Sequence, residues 1–247
     1  MDYLQKILID IETQSVEGIK ECFQNGIDPN ATFRKKPLVY EVINGYPRGP
    51  KFKECINVFV DHGLVFEDKV LLATLLDDAA FLDTVLMKNP MEIKRIHSLE
   101  CAFTPLYQVT LLHICAEYNH VSCAKVLVKH GADINSMAGV DQYGFGGQTP
   151  IFHTVNQNEN KCIDMMHYLL TKSADLNYTV KGLTWGKGYE WETFVPAVNP
   201  ISYAMMGLLR QFQRKESDIY QIVSTLLKAR YGIDYTPTNI PNAYLNN

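Results

Sequence analysis

The sequence predicts an all-α solenoid, in which pairs of short helices stack one against the next along the chain. The first observation behind this is the segment 110–135, which contains two helical patterns, a tight turn and a glycine-terminated exit. The second is that parts of this segment recur in residues 149–177 and 199–234. Recurrence at a spacing of roughly 20–50 residues is typical of stacked repeat proteins, in which each unit contacts mainly its neighbours.

The second helix of segment 110–135 is identified by its apolar spacing. The residues on its apolar face are Val121, Ala124, Leu127 and Val128, which fall together at helical periodicity. Gly131 follows the last turn, where a residue that tolerates positive φ ends a helix.

The first helix of the segment runs from Leu111 and contains the small residues Cys115 and Ala116. Small side chains let the paired helix approach closely. Asn119 lies between the two helices, and asparagine tolerates the left-handed conformation that a tight turn requires.

The combined pattern resembles the ankyrin repeat, whose consensus is roughly T-P-L-H-x-A-A-x-x-G-H-x-x-x-V-x-L-L-L-x-x-G-A-D-x-N. The matching residues are Thr110, Leu112, His113, Ala116, His120, Val126, Leu127, Gly131, Ala132, Asp133 and Asn135. Leu111 replaces the family proline and Asn119 the family glycine, and in the copy at 149–177 Phe152 takes the family histidine position. The overall pattern is similar to ankyrin proteins encoded in bacterial genomes.

This resemblance implies an ankyrin-repeat solenoid of about six helix pairs with two long finger-loop insertions. We expect a single ankyrin-repeat domain at residues 1–235 and a flexible tail at 236–247. Within the domain, 1–99 would hold divergent or capping repeats, 100–178 the consensus-like repeats, and 179–235 a C-terminal repeat with a long loop. The match is weakest at 68–99, within which 68–89 reads as two short helices without consensus residues.

Composition excludes several classes of function. The formal net charge is −4, which argues against a phosphate-binding surface and hence against a nucleic-acid partner. The basic run at 34–36 reads as a solvated loop. No apolar stretch reaches the roughly 18–20 residues of a membrane helix, and the N-terminus lacks the pattern of a secretory signal.

The chain has 6 cysteines, most of them among apolar residues of predicted helices and none in a C-x-x-C pair. This predicts reduced, buried thiols in a cytoplasmic protein. The spacing of histidine and cysteine in 113–130 follows no zinc pattern, so no metal or cofactor is expected. The resemblance implies instead that His113 and His120 are structural and form hydrogen bonds within and between repeats.

Two joins between repeats are longer than the ankyrin pattern allows. Because they are successive joins, the resemblance implies that they lie side by side in the stack. The first is 137–148 and the second is 178–198, which holds both tryptophans, Trp185 and Trp191. Long ordered insertions often carry function, and exposed Trp and Tyr are enriched at binding hot spots. The alternative is that the aromatic residues fold back into a small local core.

By family analogy, partner binding uses finger tips and the two residues that follow A-A in the first helix of a repeat. His153 is added because its one-residue shift from the family position turns it by about 100° around the helix. The alternatives are that this turns it to the concave face or leaves it partly exposed. The candidate partner-binding residues are Glu117, Tyr118, Asp141, Gln142, Tyr143, Phe145, Gln148, His153, Asn156, Gln157, Trp185, Tyr189, Trp191, Glu192 and Met206.

Three functional hypotheses follow. The first is a non-catalytic, monomeric scaffold that binds another protein through its concave face and long loops. The second is a small-ligand or enzymatic site between the loops, around Asp141, His153, Glu190 and Glu192, where paired carboxylates could perform acid–base chemistry. The third is a structural role for the loops, with self-association. We adopt the first, without catalytic residues or cofactor.

Overall fold

The computed structural model describes residues 2–45, 49–100, 103–188, 190, 192–206 and 214–238. Twelve α-helices lie within these residues, and consecutive helices pack as pairs. Their bounds are α1 Tyr3–Glu12, α2 Val16–Gln24, α3 Val39–Ile43, α4 Phe52–Asp61, α5 Lys69–Leu75, α6 Ala79–Lys88, α7 Leu111–Tyr118, α8 Val121–Lys129, α9 Phe152–Val155, α10 Ile163–Thr171, α11 Pro200–Ala204 and α12 Glu216–Tyr231.

Three two-stranded antiparallel sheets join some of these pairs, so a strictly all-α description is incomplete. The strands are β1 Thr32–Phe33, β2 Lys36–Pro37, β3 His97–Leu99, β4 Leu106–Val109, β5 Val180–Trp185 and β6 Thr193–Val198. They pair as β1–β2, β3–β4 and β5–β6. The third is the longest, because the insertion at 178–198 folds back on itself as a hairpin.

The central repeat has the local geometry that its sequence predicts. Asn119 adopts φ 59° and Gly131 φ 92°, so both turn positions are left-handed. His113 Nδ1 accepts from the Thr110 hydroxyl at 2.9 Å, and its Nε2 donates to the carbonyl of Gln148 at 3.0 Å. His120 Nδ1 donates to the carbonyl of Thr74 at 2.8 Å. The structural role predicted for both histidines is therefore confirmed.

Asparagine side chains join successive helix pairs through backbone amides. Asn30 Oδ1 accepts from the amide of Val65 at 2.7 Å, and Asn135 Oδ1 accepts from that of Asp175 at 2.8 Å. Each is the last residue of a G-x-D-x-N exit. These bonds fix the spacing between exits in different parts of the stack.

The segment 68–99 contains the two helices expected of it, α5 and α6. Aspartate caps both: Asp68 Oδ1 accepts from the amide of Leu71 and Asp78 Oδ1 from that of Phe81, each at 3.0 Å. Such caps stabilise a helix by about 1 kcal/mol. After α6 the chain forms a 3₁₀ turn at Pro90–Lys94 in place of the glycine-containing exit.

The hydrophobic core runs through all the helix pairs. It includes Ile19 and Phe59 near the N-terminus, Leu112 in the centre, and Phe152 and Leu226 towards the C-terminus, each 0–1% exposed. Burying a leucine or phenylalanine side chain of this kind stabilises the fold by about 1.5–3 kcal/mol. The core therefore holds the joins between repeats in fixed positions.

Candidate functional site

Three joins lie side by side in the second half of the stack, and we name them by order. Finger 1 is residues 97–109, finger 2 is residues 137–148, and finger 3 is residues 180–198. The amide of Gly139 in finger 2 donates to the carbonyl of Tyr107 in finger 1 at 3.0 Å. The amide of Gly146 in finger 2 donates to the carbonyl of Gly182 in finger 3 at 2.9 Å. The expectation that the two long loops are neighbours is confirmed.

Asp141 fixes the tip of finger 2. Its Oδ1 accepts from the amides of Tyr143 at 2.9 Å and Phe145 at 3.0 Å, and its Oδ2 lies 3.7 Å from Nζ of Lys187 in finger 3. The amide of Phe145, then that of Tyr143 and the ammonium of Lys187, hold the pKa of Asp141 below its usual value. The carboxylate therefore stays ionised and holds the tip rigid.

A row of aromatic rings crosses fingers 2 and 3. The ring centroids of Tyr143 and Phe145 are 5.9 Å apart, and those of Phe145 and Phe194 are 4.6 Å apart. Tyr143 is 67% exposed and Phe194 47%. Val140 and Tyr107 add exposed apolar area on fingers 2 and 1, at 53% and 47%. We call Tyr107, Val140, Tyr143, Phe145 and Phe194 the finger strip.

Trp185 belongs to the local core of finger 3. It is 2% exposed, and its indole Nε1 donates to Tyr203 Oη at 2.6 Å. Thr104 Oγ1 lies 2.7 Å from the same Tyr203 oxygen. Gln148 is 1% exposed and donates to the carbonyl of Pro105. Trp185 and Gln148 were candidates for partner binding. Both support the fingers from beneath and are too buried to contact a partner.

His153 does not face the concave surface or solvent, in contrast to the expectation. It is 0% exposed, and its Nδ1 lies 2.8 Å from Glu117 Oε2. The one-residue shift turns the imidazole towards α7, where the buried carboxylate of Glu117 receives it. Tyr118 is also buried: its ring stacks on Phe52 at 4.3 Å, and its hydroxyl donates to the carbonyl of Ile43 at 2.6 Å.

The remaining candidates divide by exposure. Gln142 and Glu192 are exposed, and Glu192 Oε2 accepts from the amide of Gly188 at 2.7 Å. Asn156, Gln157 and Met206 are partly buried. Asn156 Nδ2 donates to the carbonyl of Tyr203 at 3.1 Å, and Gln157 Nε2 to that of His153 at 2.9 Å. Tyr189 and Trp191 lie outside the described residues.

Sequence reasoning did not select Tyr107, Val140 or Phe194. In β4 and β6 the exposed Tyr107 and Phe194 stand next to the buried Leu106 and Val195. Neither strand has the alternation of exposed and buried residues that identifies the outer face of a strand in a sequence. The exposed positions were therefore hard to separate from buried ones without the structure.

Asp141 and His153, two residues of the small-ligand hypothesis, form hydrogen bonds with different partners in different places. Asp141 binds backbone amides of its own tip and Lys187, whereas His153 contacts Glu117 in the core. Over the residues that the structure describes, no group of three or more His, Cys, Asp and Glu side chains is placed to hold a metal ion.

The helices described here include none that is both long and apolar enough to cross a membrane.

Comparison with known proteins identifies one family. The family described as ankyrin repeats, in three copies, matches residues 85–180. This range contains fingers 1 and 2 and the helices from α7 to α10. No curated protein matches the chain.

Proposed function

We propose that this chain, whose residues 85–180 match three ankyrin repeats, binds another protein through the finger strip. Ankyrin repeats are generally protein–protein interaction modules and generally non-catalytic. The proposed binding surface is the finger strip. The concave face of the helices was the other surface expected to contact a partner.

The observation that carries the proposal is the exposure of Tyr143 and Phe194 on a rigid support. Aromatic side chains supply large contact area at a low cost in conformational entropy, and they dominate binding hot spots. The backbone bonds between the fingers hold these rings before a partner arrives. Such pre-organisation lowers the entropic cost of association.

The concave face contributes less to this proposal. Glu117 and His153 form a hydrogen bond with each other, and the Tyr118 hydroxyl donates to the carbonyl of Ile43. These groups lie in the core and support the repeat that carries finger 2. The exposed candidates that remain are Gln142, Tyr143 and Glu192, which are finger residues.

Several further expectations belong to the same proposal. We propose that all six helix pairs act as ankyrin repeats within one domain at residues 1–235, and that the protein works as a monomer in the cytoplasm. Support for the location comes from five free cysteines that are buried: Cys22, Cys55, Cys115, Cys123 and Cys162. Thiols persist in reducing compartments. The bacterial character of the sequence is part of this proposal as well.

The test is affinity capture from native lysate, followed by mass spectrometry, with wild type and a Tyr143→Ala/Phe194→Ala variant. The matched control is Tyr231→Ala/Tyr235→Ala, which removes two exposed tyrosines near the C-terminal end of the described chain. We expect a protein that is captured by wild type and by the control and lost from the finger variant. Circular dichroism must show that all three proteins are folded. Equal capture by the finger variant would contradict the proposal.

A further inference from the structure

The β1–β2 hairpin, which lies outside the finger strip, has a turn whose backbone conformation is unfavourable for its residues. Phe33 pairs with Lys36, so the hairpin loop consists of Arg34 and Lys35 alone. Both residues have positive φ, 48° and 68°. A two-residue turn of this kind strongly favours Asn-Gly, because other residues tolerate the left-handed region poorly. Strained residues of this kind cluster where the strain serves function.

The two turn residues present positive charges that the described part of the chain leaves uncompensated. Both side chains are exposed, and no carboxylate of the described residues forms an ion pair with either. Their neighbour Lys36 is different, because it pairs with Glu100. The guanidinium of Arg34 lies over the ring of Phe33, with Cζ 5.0 Å from the centroid. This contact orients the charge and leaves its N–H donors available.

A cleft of about 410 Å³ begins at this turn and runs between the hairpin and β3. Lys35 lines it with the hydroxyl groups of Tyr40 and Ser98. The ion pair of Lys36 with Glu100 also lines it, and Glu100 Oε2 accepts from Asn44 Nδ2 at 3.5 Å. Ser98 Oγ accepts from the amide of Gln108 at 3.0 Å, so its hydroxyl hydrogen remains available to a ligand. Burial, aided by the carboxylates of Asp68 and Glu67, raises the pKa of Tyr40, so its phenol keeps the proton it would donate. The cleft therefore offers the hydroxyl donors of Tyr40 and Ser98 beside the cations of Arg34 and Lys35, and Lys36 neutralises the lining carboxylate of Glu100.

We infer that the Arg34–Lys35 turn and this cleft bind an acidic peptide segment of a partner protein, with a carboxylate on the guanidinium of Arg34. The inference rests on the proposed function and states the chemistry of the partner at a second contact. Arginine binds carboxylates with two parallel hydrogen bonds, which a planar guanidinium provides. A protein partner is favoured over nucleic acid because the chain has a net charge of −4 and this patch has only two free cations, whereas phosphate-backbone binding uses many.

The experiment measures the fluorescence anisotropy of a fluorescein-labelled oligoglutamate peptide titrated with the whole chain. An oligoglutamine peptide and a single-stranded oligothymidylate serve as comparison probes. We expect oligoglutamate to bind and Arg34→Gln/Lys35→Gln to weaken it by about tenfold or more. The control Lys88→Gln/Lys125→Gln removes two exposed positive charges elsewhere and should bind as wild type does. A change below about twofold in the turn variant overturns the inference, as does oligothymidylate binding that equals oligoglutamate binding.

A second variant separates function from folding. Arg34→Asn/Lys35→Gly gives the turn its favoured sequence and should raise the thermal midpoint by about 2–4 °C while it loses the peptide. A midpoint that does not rise overturns the strain on which the inference rests. Tyr143→Ala/Phe194→Ala should bind oligoglutamate as wild type does. If Tyr143→Ala/Phe194→Ala loses its captured protein but wild type does not bind oligoglutamate, this inference fails and the proposed function stands. If that variant keeps the captured protein and wild type binds oligoglutamate, binding through the finger strip is excluded and the acidic-peptide contact remains.

Discussion

The Nδ1 atom of His153 lies 2.8 Å from the Oε2 atom of Glu117, and the two side chains are 0% and 3% exposed. The contact joins α7 to α9, the first helices of successive pairs. The His153 ring also meets that of His113 edge to face, with centroids 5.6 Å apart. A polar cluster thus lies within the core beneath finger 2, where every unmet hydrogen bond is costly.

Replacing the carboxylate of Glu117 with an apolar group should lower the free energy of unfolding. Glu117→Leu removes the acceptor of His153 Nδ1, and His153 Nε2 has no partner among the described residues. Losing the partner of a buried polar group costs about 1–3 kcal/mol. We expect a decrease of that size in the free energy of unfolding, measured by urea denaturation at pH 7.

Glu117→Gln is the matched control because its amide oxygen can still accept from Nδ1. Its decrease should be less than half that of Glu117→Leu. Equal stability of Glu117→Leu and wild type would show that the contact contributes nothing.

The buried histidines should make stability fall in mild acid. Burial, reinforced by His153, lowers the pKa of His113 to about 3. Burial likewise lowers the pKa of His120 to about 4. In the unfolded chain both titrate near 6.5, so between these values the unfolded state binds more protons than the folded state. The free energy of unfolding should therefore fall as pH falls below about 6.5, by about 2 kcal/mol per histidine at pH 5.

Urea denaturation at pH 7 and pH 5 measures this loss. His120→Gln removes one of the two titrations and should show a smaller loss between the two pH values than wild type. An identical pH dependence in the variant would exclude His120 as a source of the acid sensitivity.

The strand glycine of finger 3 should be intolerant of any side chain. A Cβ at Gly182 would lie 2.4 Å and 2.6 Å from two ring carbons of Phe194 and 3.3 Å from the carbonyl oxygen of Val195. Gly182→Ala must therefore displace the Phe194 ring from Phe145. Overpacking of this kind costs about 1–3 kcal/mol, which thermal denaturation followed by circular dichroism would detect.

The double variant Gly182→Ala/Phe194→Ala tests the cause. Removing the ring removes the collision, so the double variant should be no less stable than Phe194→Ala alone. Simple addition of the two single effects would mean that the clash is not with Phe194.

The local features of the central repeat could be predicted because neighbouring residues determine them. Asn119 and Gly131 are left-handed by turn chemistry, and His113 bonds to Thr110 three residues before it. The side-by-side fingers followed from the repeat order. These features need no information about distant parts of the chain.

The environments of His153 and Trp185 could not be predicted, because distant residues decide them. Glu117 is 36 residues from His153 and draws its imidazole into the core. Trp185 is held by the hydroxyl of Tyr203 in the following pair. A tryptophan in a glycine-rich insertion has the same sequence signature whether such a hydroxyl is present or not, so the sequence left both alternatives open.

Arg214 provides the last prediction, because it is a buried cation that binds carbonyls. It is 4% exposed, and its guanidinium donates to the carbonyls of Ala204 and Met206 at 2.9 Å and of Val155 at 3.3 Å. Burial lowers its pKa to about 10, so it remains charged at neutral pH. The unpaired carbonyls at the ends of α9 and α11 are thereby satisfied.

Arg214→Leu should leave these carbonyls without their donor and lower the free energy of unfolding by about 3 kcal/mol. Arg214→Lys retains the charge but cannot reach three carbonyls with a planar fork, so its effect should be intermediate. Hydrogen–deuterium exchange would locate the loss, with faster exchange in α9 and α11 than in α1 and α2. Because α11 supplies Tyr203, which holds Trp185 beneath finger 3, the same variant should also weaken capture of the finger-strip partner. Unchanged exchange in α11 would assign the guanidinium to some other role.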